Sequence, residues 1–238
     1  MKKVLISFGS SGYEKGLNSL AQSGRSYFDE VRMYKPSDID SGFLSANEAM
    51  FRCSRGYGYW LWKPYFIQRT LLELSSGDVV FYADSLMNFI ANPIDAIYEC
   101  KNNRGLLAGF QVHLEKAWTK RDCFILMGTD SEEYWNTPQL NASHSIYEKN
   151  DLALSVVDEW LQTSKNMEIM ADGPTRHGND FPEFVAHRHD QSILSLLFKK
   201  YKIGMHKCLC QWGKEWCETQ GFMCHSKYGQ IVHHHRAK

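Results

Sequence analysis

The chain has 238 residues, 43% of them hydrophobic, and its 27 basic and 27 acidic side chains leave it formally neutral at pH 7. That length is ample for one large α/β core, and a surface without net positive charge argues against nucleic acid as the main partner. No stretch approaches the roughly 18–20 consecutive apolar residues of a membrane span.

In chain order, residues 4–8 read as a buried strand. The run follows a basic start, Met1-Lys2-Lys3, but is too short for a signal peptide and breaks at once into Gly9-Ser10-Ser11-Gly12. A cytoplasmic protein follows from that reading, with its seven cysteines reduced and the sequon Asn141-Ala142-Ser143 carrying no weight. Residues 28–34, with Val31 and Met33 alternating against charges, read as a second strand. Pro64 is expected to open a helix whose Phe66, Ile67, Thr70, Leu71 and Leu74 share a face, ended by Ser75-Ser76-Gly77. Residues 79–83 make a central strand, and residues 106–110 and 124–127 are further strand candidates. Asn150 or Asp151 caps a helix carrying Leu152, Val156, Val157 and Trp160. A last helix follows Asp190 and buries Ile193, Leu194, Leu196 and Leu197.

Strands alternating with helices predict an open, largely parallel sheet with helices on both faces. Ligands of such sheets sit at the carboxyl ends of the strands, which brings residues 7–11 and Asp84-Ser85 into one cleft. From Met205 the composition shifts to cysteine, tryptophan and histidine. Residues 1–204 are therefore read as one domain and 205–238 as an extension packed on it.

Three stretches have the composition of a site. Asp84 ends the central strand, where a carboxylate suits Mg²⁺ or Mn²⁺ that completes its shell with water and phosphate oxygens. The competing reading is a turn cap, and Leu86 stands where a second carboxylate would be expected. Arg55-Gly56-Tyr57-Gly58-Tyr59-Trp60-Leu61-Trp62-Lys63-Pro64 sets rings, glycines and cations just before a helix N-terminus, which favours anions. Its alternative is an aromatic knot packing a loop onto the sheet. In His187-Arg188-His189-Asp190-Gln191, Asp190 is placed as a helix cap, while His189 and Asp190 could act on an acceptor hydroxyl or a leaving phosphate. Zinc is a minority reading for His187-x-His189 and for Cys208, Cys210, Cys217, Cys224 and His225, whose spacing lacks the paired C-x-x-C of zinc ribbons. The glycine loop is not GxGxxG, no P-loop follows it, and no G-x-S-x-G elbow occurs.

Residues 4–203 resemble GT-A-like, nucleotide-sugar-dependent glycosyltransferases of bacterial glycan clusters and large algal viruses. The resemblance is carried by "RGYGYWLWKPYFIQRTLLEL", "GDVVFYADS", "EKAWTKRD", "QLNASHSIYEKND" and "HRHDQSILSLLFKKY". It implies a single α/β domain with a mixed, mostly parallel sheet flanked by helices. It further implies a UDP- or GDP-sugar donor and a glycan acceptor. Ser7, Phe8, Gly9 and Ser10 would meet the nucleotide, joined by Arg55, Tyr57, Trp60, Trp62, Lys63 and Ser85. Asp84 would hold Mn²⁺ or Mg²⁺ on the diphosphate, and His189, Asp190 and Gln191 would lie at the transfer centre with Asp190 as base. Trp118, Arg121, Asp122 and Asn141 would contact sugar or acceptor. The rival from another class is a non-catalytic carbohydrate- or nucleotide-binding domain derived from such a transferase.

Overall fold

In the computed structural model, residues 1–211, 226 and 228–235 are described. Six strands form one sheet: β1 (Lys3–Phe8), β2 (Glu30–Tyr34), β3 (Val79–Ala83), β5 (Leu106–Leu114), β6 (Pro138–Glu148) and β7 (His206–Lys207), in the order β2-β1-β3-β6-β5-β7. β1 runs parallel to β2 and β3, β7 runs parallel to β5, and β6 is antiparallel to both of its neighbours. Five strands thus point one way and β6 alone points back. A separate two-stranded ribbon pairs β4 (Met87–Phe89) with β8 (Val232–His234).

Strand periodicity divides the core into two layers. Val4, Ile6 and Phe8 of β1 and Val80 and Tyr82 of β3 face one layer. Leu5, Val79, Phe81 and Ala83 face the other. The first layer receives α2 (Trp62–Glu73), α4 (Asp151–Ser164) and α5 (Asp190–Lys200) through Phe66, Trp160 and Leu194. The second receives α1 (Glu14–Gly24) and α3 (Ile94–Asn102) through Leu20 and Ile97. No helix among the described residues is long and apolar enough to cross a membrane.

Several sequence expectations change here. Residues 124–127 are not a strand, because Arg121–Leu126 is a short helix that buries Cys123 and Phe124. A brief apolar run fits either element, and only its packing decides. The helix expected from Pro64 begins two residues earlier, at Trp62. Asn150 is the cap of α4, its side chain accepting the Ala153 N–H. Asp190 is not a cap. It is the first residue of α5, and its carboxylate turns to Lys63 instead. Of the described residues after Met205, those of β7 join the main sheet, those of β8 pair with β4, and Cys208, Leu209, Ile231 and Val232 lie in the second core layer. Trp212, Trp216, Cys217, Cys224 and His225 lie outside the described residues.

Candidate active site

Because β1 and β3 are parallel neighbours, their carboxyl ends open on the same edge. Phe8, Gly9 and Ser10 leave β1 there, and Asp84 and Ser85 leave β3. Together with Tyr13, Gly56, Tyr57, Trp60, Trp62 and His234 they line a cavity of about 280 Å³. α1 can pass close beneath it because Gly16 has no side chain: a Cβ there would lie 2.5 Å from the Ser85 carbonyl oxygen. A second cavity, of about 220 Å³, is lined by Arg55, Lys63, Ser143, Arg188, His189, Asp190 and Gln191. Trp60 and Asp84 line both, so the two are lobes of one cleft.

The aromatic wall rests on an unusual backbone. Gly56, Tyr57, Gly58, Tyr59 and Trp60 all have positive φ, from 50° to 83°. Hydrogen bonds from Tyr59 N–H to Arg55 carbonyl and from Trp60 N–H to Gly56 carbonyl make this a left-handed helical turn. Glycine adopts that conformation without penalty, whereas each of the other residues is opposed by about 1–2 kcal/mol. The rings are locked by packing: Phe8 stacks on Trp62 at 4.1 Å, and the Trp62 indole N–H donates to the Gly56 carbonyl at 2.8 Å. Trp60 stacks on His189 at 5.4 Å. His189 itself has φ +52° and ψ −119°, an uncommon backbone for a side chain that is 2% exposed. Strain held in place by its surroundings clusters at functional sites.

Between the lobes lies a buried charge relay. Lys63 Nζ is 2.8 Å from Asp190 Oδ2 and 3.6 Å from Asp84 Oδ1, and it donates to the Ala142 carbonyl at 3.1 Å. Its approach to Asp190 is off the hydrogen-bond axis, so that buried oxygen accepts no aligned hydrogen bond. Burial opposes the Lys63 ammonium, but Asp190 and Asp84 outweigh it and raise its pKa. Burial pushes the Asp190 carboxyl up to about 6, with Lys63 pulling the other way. The Tyr82 hydroxyl donates to Asp84 Oδ1 at 2.5 Å. Asp84 Oδ2 takes no bond among the described residues, and the Asp84 side chain is 32% exposed.

The side chains of His189 and Gln191 are both engaged in hydrogen bonds. The His189 Nδ1–H donates to the Met170 carbonyl, and its Nε2 accepts from Arg55 Nε at 3.0 Å. Gln191 accepts the Ala142 N–H and donates to Gln139, which donates in turn to the buried Glu115. His187 has both ring nitrogens engaged as well, by the Lys120 N–H and the Ile169 carbonyl, so the two histidines are not poised as a metal pair.

Other predicted residues lie elsewhere. Arg121 pairs with Asp130 and covers the rings of Trp135 and Phe181. Asp122 ties down a loop by accepting the backbone N–H groups of Arg176 and His177. Asn141 is buried, accepting the Ser143 N–H and donating to Cys208 Sγ. Ser7 is buried, its hydroxyl without a hydrogen-bond partner among the described residues, and it does not line the cleft. Trp118 reaches the second lobe only through Arg188, whose guanidinium lies 4.1 Å over its ring. His234 and Arg188 were missed from sequence. No local pattern marks a histidine 150 residues downstream as a neighbour of Asp84.

Asp84 and His234 are the metal-capable side chains of the first lobe. Among the described residues no group of three or more such side chains gathers. The unpartnered Asp84 Oδ2 fits a hard divalent cation whose remaining ligands are water and phosphate oxygens.

A mostly parallel sheet with a single reversed strand, helices on both faces and a cleft at the β1/β3 edge define a GT-A-type glycosyltransferase fold. Mouse xyloside xylosyltransferase 1, in its apo form, is similar over 98% of this chain and 97% of its own, with TM-score 0.51 and 11% identity. The apo form of the glycosyltransferase GlyE from Streptococcus pneumoniae TIGR4 aligns with 100% of this chain and 55% of its own, with TM-score 0.46 and 14% identity. At 11% identity the likeness to the mouse enzyme establishes a shared fold. No family model and no curated protein sequence matches the chain.

Proposed function

We propose that this protein transfers a glycosyl group from a UDP- or GDP-sugar to a hydroxyl of a glycan acceptor. The observation that carries the reading is the placement of Asp84 and Asp190 in one cleft, 106 residues apart in sequence and joined through the buried Lys63. The fold shared with a xylosyltransferase supports it.

The nucleotide occupies the first lobe, where Phe8, Tyr57, Trp60 and Trp62 offer faces for a base and ribose. Asp84 would hold Mn²⁺ or Mg²⁺ there, and a bound ion would neutralise charge on the departing diphosphate. Lys63 fixes a permanent positive charge between donor and base. Asp190, in the second lobe, takes the proton of the acceptor hydroxyl as its oxygen bonds to the anomeric carbon and the glycosyl–phosphate bond breaks. A carboxyl tuned to about 6 by burial is ionised at neutral pH yet basic enough for that transfer. His189 and Gln191 flank Asp190, their side chains anchored at Met170 and Arg55 and at Ala142 and Gln139. The five cysteines that are free thiols among the described residues suit a cytoplasmic setting.

The test is release of UDP or GDP from common nucleotide sugars in the presence of Mn²⁺, by wild type, Asp84→Ala and Asp190→Ala. Turnover by wild type that both variants lose supports the reading. A protein that binds glycan but turns over no donor is a binding domain.

A further inference from the structure

The second lobe carries an unbalanced positive charge on the side away from the nucleotide. Arg188 enters it between His187 and His189, its backbone N–H held by the Trp118 carbonyl at 3.1 Å and its guanidinium laid on the Trp118 ring. That guanidinium makes no hydrogen bond or ion pair with any described residue. Its charged neighbour Arg55 repels it. Arg55 lines the same lobe, and His113 packs against the other partner of the stack, Trp118, at 5.2 Å. Desolvation and then Arg55 lower the Arg188 pKa, and desolvation and then Arg188 lower that of His113, with no carboxylate opposing either. The carboxylates within reach are committed elsewhere: Asp172 faces Arg55 and His189, and Asp190 faces Lys63.

A guanidinium stacked on an indole is pre-oriented, and its free edge matches a carboxylate or phosphate in two parallel hydrogen bonds. We propose that Arg188, seconded by Arg55, is a recognition site for an anionic group, carboxylate or phosphate, on the saccharide handled beside Asp190. The inference rests on the sugar-transfer reading and assigns a substrate class to its second lobe. Arg188 lines the second lobe and not the aromatic one, so the anion it meets is assigned to the saccharide, and bare UDP and GDP serve as controls for the diphosphate at the shared Asp84. It belongs either to the transferred sugar or to the acceptor.

Calorimetric titrations of wild type, Arg188→Gln and Arg188→Lys separate these sources. The donor arm compares UDP-glucuronate with UDP-glucose, with UDP and GDP alone as controls. The acceptor arm compares glucuronate and glucose 6-phosphate with glucose, with and without nucleotide. Wild type is expected to favour the acidic member of at least one arm by about tenfold or more, the scale of a charged hydrogen bond. Arg188→Gln erases that preference and leaves UDP and GDP affinity unchanged, while Arg188→Lys keeps part of it. Equal affinity for acidic and neutral members in both arms overturns the proposal. So does a preference that survives Arg188→Gln, or a loss of the same size for the bare nucleotide. Failure of both nucleotides to bind sinks the transfer reading instead, and the titrations of free sugars without nucleotide still decide the anion site.

Discussion

Replacing Asp190 by asparagine removes a titration while keeping the shape of the side chain, and the structure fixes what the difference should look like. Burial holds the folded-state carboxyl at about 6, against 3.8 for the free group. Between those values the folded chain binds a proton at Asp190 that the unfolded chain has released. The group therefore contributes stability that is fully present below pH 3.8 and is lost as pH rises through 6. At about 1.4 kcal/mol for each pH unit between 3.8 and about 6, the contribution is worth about 3 kcal/mol. Lys63 stays charged throughout this window, since its own pKa is raised. The measurement is urea unfolding of wild type and Asp190→Asn at half-unit steps from pH 4 to 8. The stability of wild type relative to the variant should fall by about 2–3 kcal/mol across the range, most steeply near pH 5, midway between the two values. A difference that stays flat would mean that Asp190 titrates as an ordinary surface carboxylate, and the tuned base would be lost with it.

Transfer by the wild type should rise with pH through about 6, as the Asp190 base ionises. Lys63→Met removes the cation that pulls this pKa down, so the midpoint of the rate profile should move to higher pH. The same variant should lose about 3–5 kcal/mol of stability, because it leaves a buried carboxylate without its partner. Gly58→Ala places a Cβ 2.9 Å from the Phe51 ring at φ +83°, and denaturant unfolding should show a loss of at least about 1–2 kcal/mol. Chelation with EDTA should weaken UDP or GDP binding to wild type, and Asp84→Asn should abolish the response to added Mn²⁺. An unchanged nucleotide affinity after chelation counts against a metal at Asp84.

Much of the frame is local chemistry and could be read directly. The short apolar runs in residues 4–8 and 79–83 give buried strands, their parallel pairing follows from the helices between them, and a carboxylate at a strand end marks the open edge. What local pattern does not carry is pairing at a distance. β6 runs eleven residues through the middle of the sheet, yet its segment contains Asn141, Ser143, His144, Ser145 and Glu148. Remote partners satisfy two of those polar groups: the Leu209 N–H reaches His144 Nε2, and Lys101 reaches Glu148. Burial holds the His144 ring neutral, its pKa drawn down to about 3. Lys63 is similar. In sequence it is a cation at a helix start, and only the fold reveals carboxylates from β3 and α5 on either side of it. Arg121 and Asp122, which the resemblance implies as sugar contacts, also have partners that only the fold reveals: Asp130 for Arg121, and the Arg176 and His177 N–H groups for Asp122.

The route by which His234 reaches the first lobe also sets a timetable. β8 pairs with β4, so the wall opposite Asp84 is built from residues made 150 positions after it. At about 5–20 residues per second of synthesis, the strands β1 and β3 would wait on the order of ten seconds or more for that wall. During this interval the aromatic lobe stands open, and apolar surface such as Met87 and Phe89, later covered, is exposed to whatever else is nearby. A nascent chain of this protein should therefore engage holding chaperones until residues 228–235 emerge, and gain its nucleotide pocket in a single late step.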